Sequence, residues 1–254
     1  MSGFRAYCDF SELCEGGEIP VGGSVELNAA ESRHLCGSLR ARAGDIVDVF
    51  DAKGNAYRCE LAEASSKSAA LRVIGRLYPK SPGVEVYLAQ CLPKGPAFDE
   101  IIRQSVELGA FPFASNTSCR SVVRIGRADA EKKSAKWFEK YVEAIKQSSN
   151  LSKFEMPLVS DLSDFLSNSG GFGVKLVASL RENALPIYKV LTSAGVDFAK
   201  SACVLIGPEG DLSDAEYDAA ERAGFIPVKL GDNVMKCDTA AACALSVLKA
   251  FWQK

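Results

Sequence analysis

The sequence predicts an α/β fold with a mostly parallel sheet, preceded by a small β-barrel. Three observations carry the prediction. Strand-like segments crowd the chain up to about Pro79. After a proline-rich break, apolar runs alternate with helical patterns. Two of the later apolar runs end in glycine-bearing turns that lead straight into helix starts.

The elements follow in order. Ser24 to Leu27 reads as a strand, with a short helical piece at Glu31 to Leu39. Asp45 to Phe50 and Ala56 to Leu61 each alternate polar and apolar residues, and the turn Asp51-Ala52-Lys53-Gly54-Asn55 joins them as a hairpin. Ala69 to Ile74 adds another strand, and Tyr78 to Gly83 is the break. Two domains are expected, residues 1–78 and 79–254.

Beyond the break, Val84 to Cys91 is an apolar strand. Phe98, Ile101, Ile102, Ser105, Val106 and Leu108 recur at helical spacing, and Gly109 ends that helix. Phe111 to Ala114 is a short strand and Ala128 to Ser149 a long helix. Val174 to Ala178, Ala202 to Ile206 and Phe225 to Leu230 are further strands. Ser213 and Glu216 form a capping box for the helix after the second of these, which Gly224 stops. A final helix runs from Thr239 to about Trp252, with Asp238 placed to cap its first amides. Its start is alanine-rich, which serves either close backbone approach or helix propensity.

Composition excludes several classes. At 254 residues, 47% hydrophobic and 24% charged, the chain can bury a sizeable core. No apolar run approaches the roughly 18 residues of a membrane span, and the N-terminus lacks a signal-peptide h-region, so a cytoplasmic location is expected. The nine cysteines are odd in number, scattered and without a CxxC, which predicts reduced thiols in apolar surroundings and no metal site. His34 is the one histidine, so a Ser-His-Asp site would have to use it; a partly buried histidine at a helix start is the expectation instead.

Charge is uneven. Between Arg120 and Lys153 nine basic residues face four acidic ones; the chain totals −2, so this stretch carries +5 and the remainder −7. Charge alone leaves two readings, a face for phosphate backbone or a solvated helix surface.

The turns hold the chemistry. Gly207-Pro208-Glu209-Gly210 ends the strand that finishes at Ile206. Proline fixes φ and the glycines permit conformations barred to other residues, so the turn is rigid and sits where open α/β sheets bind ligands. It is neither a Walker loop nor GxGxxG. A second turn, Leu230 to Ala240, offers Leu230, Val234 and Met235 as apolar walls and free backbone groups for a purine edge. Asp214 and Glu216 in the first helical turn disfavour an anionic ligand there. A base-containing ligand without phosphate fits better, which counts against a nicotinamide oxidoreductase.

IGPEG before a capped helix, then LG followed by TA and an alanine-rich helix, resembles the SPOUT methyltransferases, and among them the RsmE family. The likeness extends over most of the chain, through His34-Leu35 to Leu39-Arg40, Gly44-Asp45, Val49-Phe50-Asp51, Lys94-Gly95, Glu107-Leu108-Gly109, Arg120-Ser121-Val122 and Gln147-Ser148. It implies a C-terminal SPOUT domain with a deep trefoil knot, a PUA-like N-terminal barrel, a homodimer, and S-adenosylmethionine as cofactor. The implied activity is N3 methylation of a uridine in small-subunit (16S) ribosomal RNA. Carried over by motif, Ile206, Gly207, Pro208 and Gly210 form one cofactor loop, Leu230, Gly231, Val234, Met235, Thr239 and Ala240 another, and Leu180 a third contact. Arg5, Arg40, Lys94 and Arg120 would position RNA.

The chain departs from the family pattern in the second loop. Asn233 and Lys236 stand where the family has arginines, Asp238 replaces a glutamate, and Pro96-Ala97 replaces a charged pair. Lys236 is expected to stabilise the uridine anion; Glu209 and Asp238 are candidates for proton relay, each with an equally good structural job. A non-catalytic RNA-binding module of the same fold, or a different target nucleotide, stays open at this point.

Overall fold

The computed structural model describes residues 3–12, 18–79, 83–121, 127–151, 160–193 and 195–253. Of the predicted break, residues 80–82 lie outside the described residues. The chain divides into two compact units: Met1–Ser81 with Ile145–Phe154, and Pro82–Ala144 with Glu155–Lys254.

The first unit holds β1 (Phe4–Tyr7), β2 (Ser24–Glu26), α1 (Ala29–Ser32), β3 (Ile46–Phe50), β4 (Ala56–Glu63) and β5 (Ala70–Leu77). Their order is β1-β3-β4-β5-β2. The β3–β4 hairpin forms as its alternation predicts, and Asp51 closes its turn by accepting from the amides of Lys53 (2.8 Å) and Asn55 (3.0 Å). Register shifts at Arg58/Cys59 and Leu61/Glu63 mark irregularities in β4, of the kind that curl a sheet. The curl brings Cys8 Sγ, just past β1, to 3.7 Å from the Glu26 carbonyl at the end of β2. Val25, Leu35, Val47, Val49, Leu61 and Leu71 fill the barrel-like interior.

Two details differ from expectation. β1 went unpredicted: it is four residues long and pairs in parallel with β3, some 40 positions on (Phe4 with Val47, Tyr7 with Phe50), so no hairpin signal announces it. His34 is exposed, not partly buried. The helical piece changes at Arg33 from α-helix to a π-type turn, Arg33–Ser38, which turns Leu35 inward and leaves His34 outside.

The second unit carries β6 (Glu85–Cys91), α2 (Ala97–Glu107), β7 (Phe111–Thr117), α3 (Arg127–Ser148), β8 (Ser160–Asp161), α4 (Leu162–Ser167), β9 (Val174–Ala178), β10 (Leu185–Pro186), α5 (Ile187–Leu191), β11 (Ser201–Ile206), α6 (Asp214–Arg222), β12 (Ile226–Lys229) and α7 (Cys237–Trp252), the last turn of α3 grouping with the first unit. All seven strands run parallel, in the order β10-β12-β9-β11-β6-β7-β8. Both faces are covered, which is why β6 and β11 read as continuous apolar runs. Helices α2 and α7 pack together on one face, and α7 also meets β6 and β11. On the other, Leu162, Phe165, Tyr217, Ala220 and Phe225 meet Ala89, Cys91, Val177, Cys203 and Leu205.

The predicted boundaries of α6 hold. Ser213 caps it, Glu216 completes the box, and Gly224 leaves it at φ 89°. The final helix begins earlier than predicted, at Cys237, so Asp238 lies inside its first turn. Lys236 occupies the N-cap without a side-chain hydrogen bond. Asp238 Oδ1 accepts only the adjacent Thr239 amide (2.9 Å), which is a local turn contact instead of a cap.

Candidate active site

Three neighbouring strands, β12-β9-β11, end at one edge, and their outgoing loops enclose a cavity of about 600 Å³. Ser179 and Leu180 come from the loop after β9. Gly207, Pro208, Glu209 and Asp211 come from the loop after β11. The loop after β12 supplies Leu230 to Lys236, and the first turns of α7 add Cys237 and Ala240. The site thus stands at the carboxyl ends of parallel strands, where loop amides point away from the sheet.

Each loop is held by contacts spelled out in the sequence but assembled only in space. Asp211 donates its amide to the Pro208 carbonyl (2.9 Å), closing the first loop into a turn. A Cβ on Gly207 would come within 3.3 Å of the Leu212 amide nitrogen, closer than ordinary contact, so a side chain there would press on the loop. Gln90, 1% exposed on β6, reaches across: its Nε2 donates to the carbonyls of Cys91 (2.8 Å), Gly207 (3.3 Å) and Ile206 (3.4 Å). Cys237 Sγ also lies 3.5 Å from the Gly207 carbonyl. Burial, then Glu209, pushes the Cys237 thiol up to about 11, so it stays protonated and offers no nucleophile at neutral pH. In the second loop a Cβ on Gly231 would meet Met235 Cε at 3.1 Å, so the glycine leaves room for the methionine to lie against the loop. Among the described residues no protein acceptor engages the amides of Gly231 to Met235, so that row of donors is available to a ligand.

Most of the predicted cofactor residues converge here: Leu180, Ile206, Gly207, Pro208, Leu230, Gly231, Val234, Met235 and Ala240 line the cavity. Gly210 and Thr239 do not. Gly210 backs the loop instead; its carbonyl accepts from Arg120 Nη1 (3.2 Å), and a Cβ there would touch Arg120 Cβ at 3.4 Å. Lys236 and Glu209 line the cavity and Asp238 does not. Glu209 Oε1 accepts the Lys94 amide (2.7 Å), fixing the Lys94-Gly95 turn beside the first loop. Ser179, Asp211 and Cys237 line the cavity and Gln90 braces it, and none of these four was predicted. Cys237 shares the buried face of α7 with Ala240, Ala241 and Ala244, a spacing the sequence displays once the helix start is placed correctly.

The predicted RNA contacts fall in different settings. Arg40 is exposed, in a left-handed backbone conformation at φ 59°. Arg5 Nη1 is occupied by the Lys146 carbonyl (2.5 Å). Part of the basic surplus is neutralised locally: Lys136 pairs with Asp99 (3.2 Å), Lys140 with Glu143 (2.9 Å) and Lys146 with Glu31. Arg124 and Lys153 lie outside the described residues.

Residues 79–249 match the RNA methyltransferase domain family. The chain belongs to that family. Residues 27–74 also match the RNA methyltransferase PUA domain. It is 28% identical over 242 residues to the ribosomal RNA small subunit methyltransferase E of Bacillus subtilis, with 91% of each chain covered. It is 29% identical over 250 residues to the enzyme of that name from Mycobacterium bovis, covering 92% of this chain and 90% of the relative. Its fold matches the ribosomal RNA small subunit methyltransferase E of Neisseria gonorrhoeae, solved bound to S-adenosyl methionine, with a TM-score of 0.85 at 24% identity over 98% of both chains. The likeness to SPOUT methyltransferases of the RsmE family, read from the two loops, is borne out.

Proposed function

We propose that this RNA methyltransferase transfers a methyl group from S-adenosylmethionine to N3 of a uridine in small-subunit (16S) ribosomal RNA. The observation that carries the reading is the convergence of both glycine loops on one cavity at the ends of β9, β11 and β12. The residues fit such a cofactor. Unengaged amides of residues 231–235 suit a purine edge, Leu230, Val234 and Met235 supply apolar walls, and Glu209, Asp211 and Asp232 outnumber Lys229 and Lys236, which suits a cationic ligand. When bound, the cofactor supplies an electrophilic methyl group on a positive sulfonium.

The protein's task is to make uridine N3 a nucleophile. N3 carries a proton in the neutral base and must lose it for its lone pair to form the new N–C bond. The base must also leave its stack to reach the cavity. Lys236, exposed at the N-cap of α7 and on the cavity lining, is placed to stabilise the anion left on the uracil ring. Glu209 is the cavity carboxylate nearest to that task in kind, with Oε1 held by Lys94 and Oε2 left to take the proton. Asp238 serves its helix turn instead.

Residues 1–78 act in this reading as the RNA-binding unit and 79–254 as the catalytic one, with Arg40 and Lys94 on phosphates and Arg120 bracing the first loop. Strand order supports the knot. β12 lies beyond β9 from β11, yet α7 returns to pack on β11, β6 and α2, the reversal a knotted C-terminal region needs. A homodimer working in the cytoplasm completes the proposal. Among the described residues no helix is long and apolar enough to cross a membrane.

The test is incubation with labelled S-adenosylmethionine and small ribosomal subunits from cells lacking the protein, followed by mass spectrometric mapping. One methylated uridine at N3 is expected. A different modified base, or none, would overturn the assignment.

A further inference from the structure

We propose that Asp211 is the residue that meets the ligand's positive charge, presenting its carboxylate to the sulfonium of S-adenosylmethionine; the inference rests on the methyltransferase reading above. Four described non-glycine residues have positive φ: Arg40, Ala52, Ser149 and Asp211. Asp211, at φ 60°, is the one of these four that lines the cavity. Aspartate is one of the few side chains besides glycine that takes this conformation, because its short carboxylate can bond locally, as Oδ1 does here to the Leu212 amide. A non-glycine residue kept in it at a binding loop points to use of the side chain it positions.

The carboxylate is also oriented. Its Oδ1 accepts from the Tyr217 hydroxyl (2.6 Å) and from the Leu212 amide (2.8 Å). Tyr217 is 1% exposed, and burial, then Asp211 itself, pushes its phenol well above its ordinary range, so it remains a proton donor. These two donors fix one oxygen, while Oδ2 has no protein partner among the described residues. The other cavity carboxylates are placed differently. Glu209 and Asp232 are both exposed, and the one oxygen of Glu209 that is engaged is held by the Lys94 amide and not by a buried side chain. Asp211 is therefore the cavity carboxylate that a buried tyrosine aims.

The functional consequence concerns loading and release. Methyl transfer turns the sulfonium into a neutral thioether, so a fixed negative charge beside it favours the charged cofactor over the spent one. The site then refills with fresh cofactor in competition with its own product.

Calorimetry with S-adenosylmethionine and S-adenosylhomocysteine tests this, because the two ligands differ in one methyl group and its charge. Asp211→Asn keeps the shape, the Oδ1 acceptor and tolerance of positive φ. It should weaken S-adenosylmethionine about tenfold and leave S-adenosylhomocysteine within about twofold. Asp211→Gly, which also removes the acceptor of the Tyr217 hydroxyl, should show the same selective loss of S-adenosylmethionine over S-adenosylhomocysteine, an outcome a purely structural role would not give. Equal weakening of both ligands, or no change in either, would overturn the proposal. If the native protein binds neither ligand, the methyltransferase reading fails and takes this inference with it.

Discussion

The Glu216 carboxylate binds the loop that contains Cys119. Its Oε1 accepts the Cys119 amide at 2.7 Å, its Oε2 lies 3.1 Å from Cys119 Sγ, and the same side chain closes the capping box on Ser213. One residue thus starts α6 and pins the segment carrying Arg120 against the first cavity loop, where Arg120 reaches the Gly210 and Leu212 carbonyls.

Replacing Glu216 by alanine removes both jobs. Ser213 still caps α6, and the lost reciprocal half of the box alone should cost about 0.5–1.5 kcal/mol, a fall of a few degrees in melting temperature for a chain of this size. Burial acts to raise the Glu216 carboxyl, but hydrogen bonds from the Ser213 and Cys119 amides outweigh it and hold the group below its ordinary 4.5. Its ionised form therefore contributes stability above that pH, and the contribution is lost as pH falls through the depressed folded value. Urea midpoints measured from pH 6 downward should fall less steeply in Glu216→Ala than in the native protein. Parallel acid limbs would contradict this role.

Gln90 joins three backbone carbonyls in the interior, two of them belonging to the end of β11 and the first cavity loop. Gln90→Leu keeps the volume and strips those donors. Leaving buried carbonyls short of partners should cost about 1–3 kcal/mol and loosen the loop, so thermal melting and S-adenosylhomocysteine affinity should fall together. A variant that melts lower yet binds the ligand normally would show that the loop does not depend on this brace.

Lys236→Ala separates binding from chemistry. The side chain lies on the cavity lining and has no side-chain partner among the described residues, so its removal should leave stability and cofactor affinity unchanged. Single-turnover methylation should slow by about 100- to 1,000-fold if the ammonium stabilises the uridine anion. Unchanged turnover would remove Lys236 from the mechanism.

Arg40 and Arg5 should answer oppositely to alanine. Arg40 is exposed and free of protein partners among the described residues, so Arg40→Ala should weaken RNA binding and lower the slope of log affinity against log salt by about 1, with no change in melting. Arg5 spends its guanidinium on the carbonyl of Lys146, so Arg5→Ala should instead lower the melting temperature. Filter binding across a salt series, with a melting curve for each variant, distinguishes them.

The parts of this protein written in local pattern were legible. The β3–β4 hairpin, the capping box of α6, the exits at Gly109 and Gly224, and both glycine loops follow from the residues in each segment. Nine of the eleven predicted cofactor residues fall on the cavity lining because loops that end neighbouring strands must share one edge. Asp211 was missed because a positive φ is invisible in a residue type that usually avoids it. Gln90 was missed because a glutamine inside an apolar run looks like any interruption until its three carbonyl partners are in place. β10 and α5 were missed because two and five residues are too few to show a period.

By itself the sequence determined the β3–β4 hairpin, the start and stop of α6, which turns are stiff, and which family supplies the likeness, since each depends on short-range sterics, capping and spacing. Tertiary structure alone decided that β9 lies between β11 and β12, that β1 joins β3, and that Asp211 is aimed by Tyr217. Parallel strands are joined through distant crossovers, so their order is chosen by which faces can be buried together. No pattern within a single segment carries that choice.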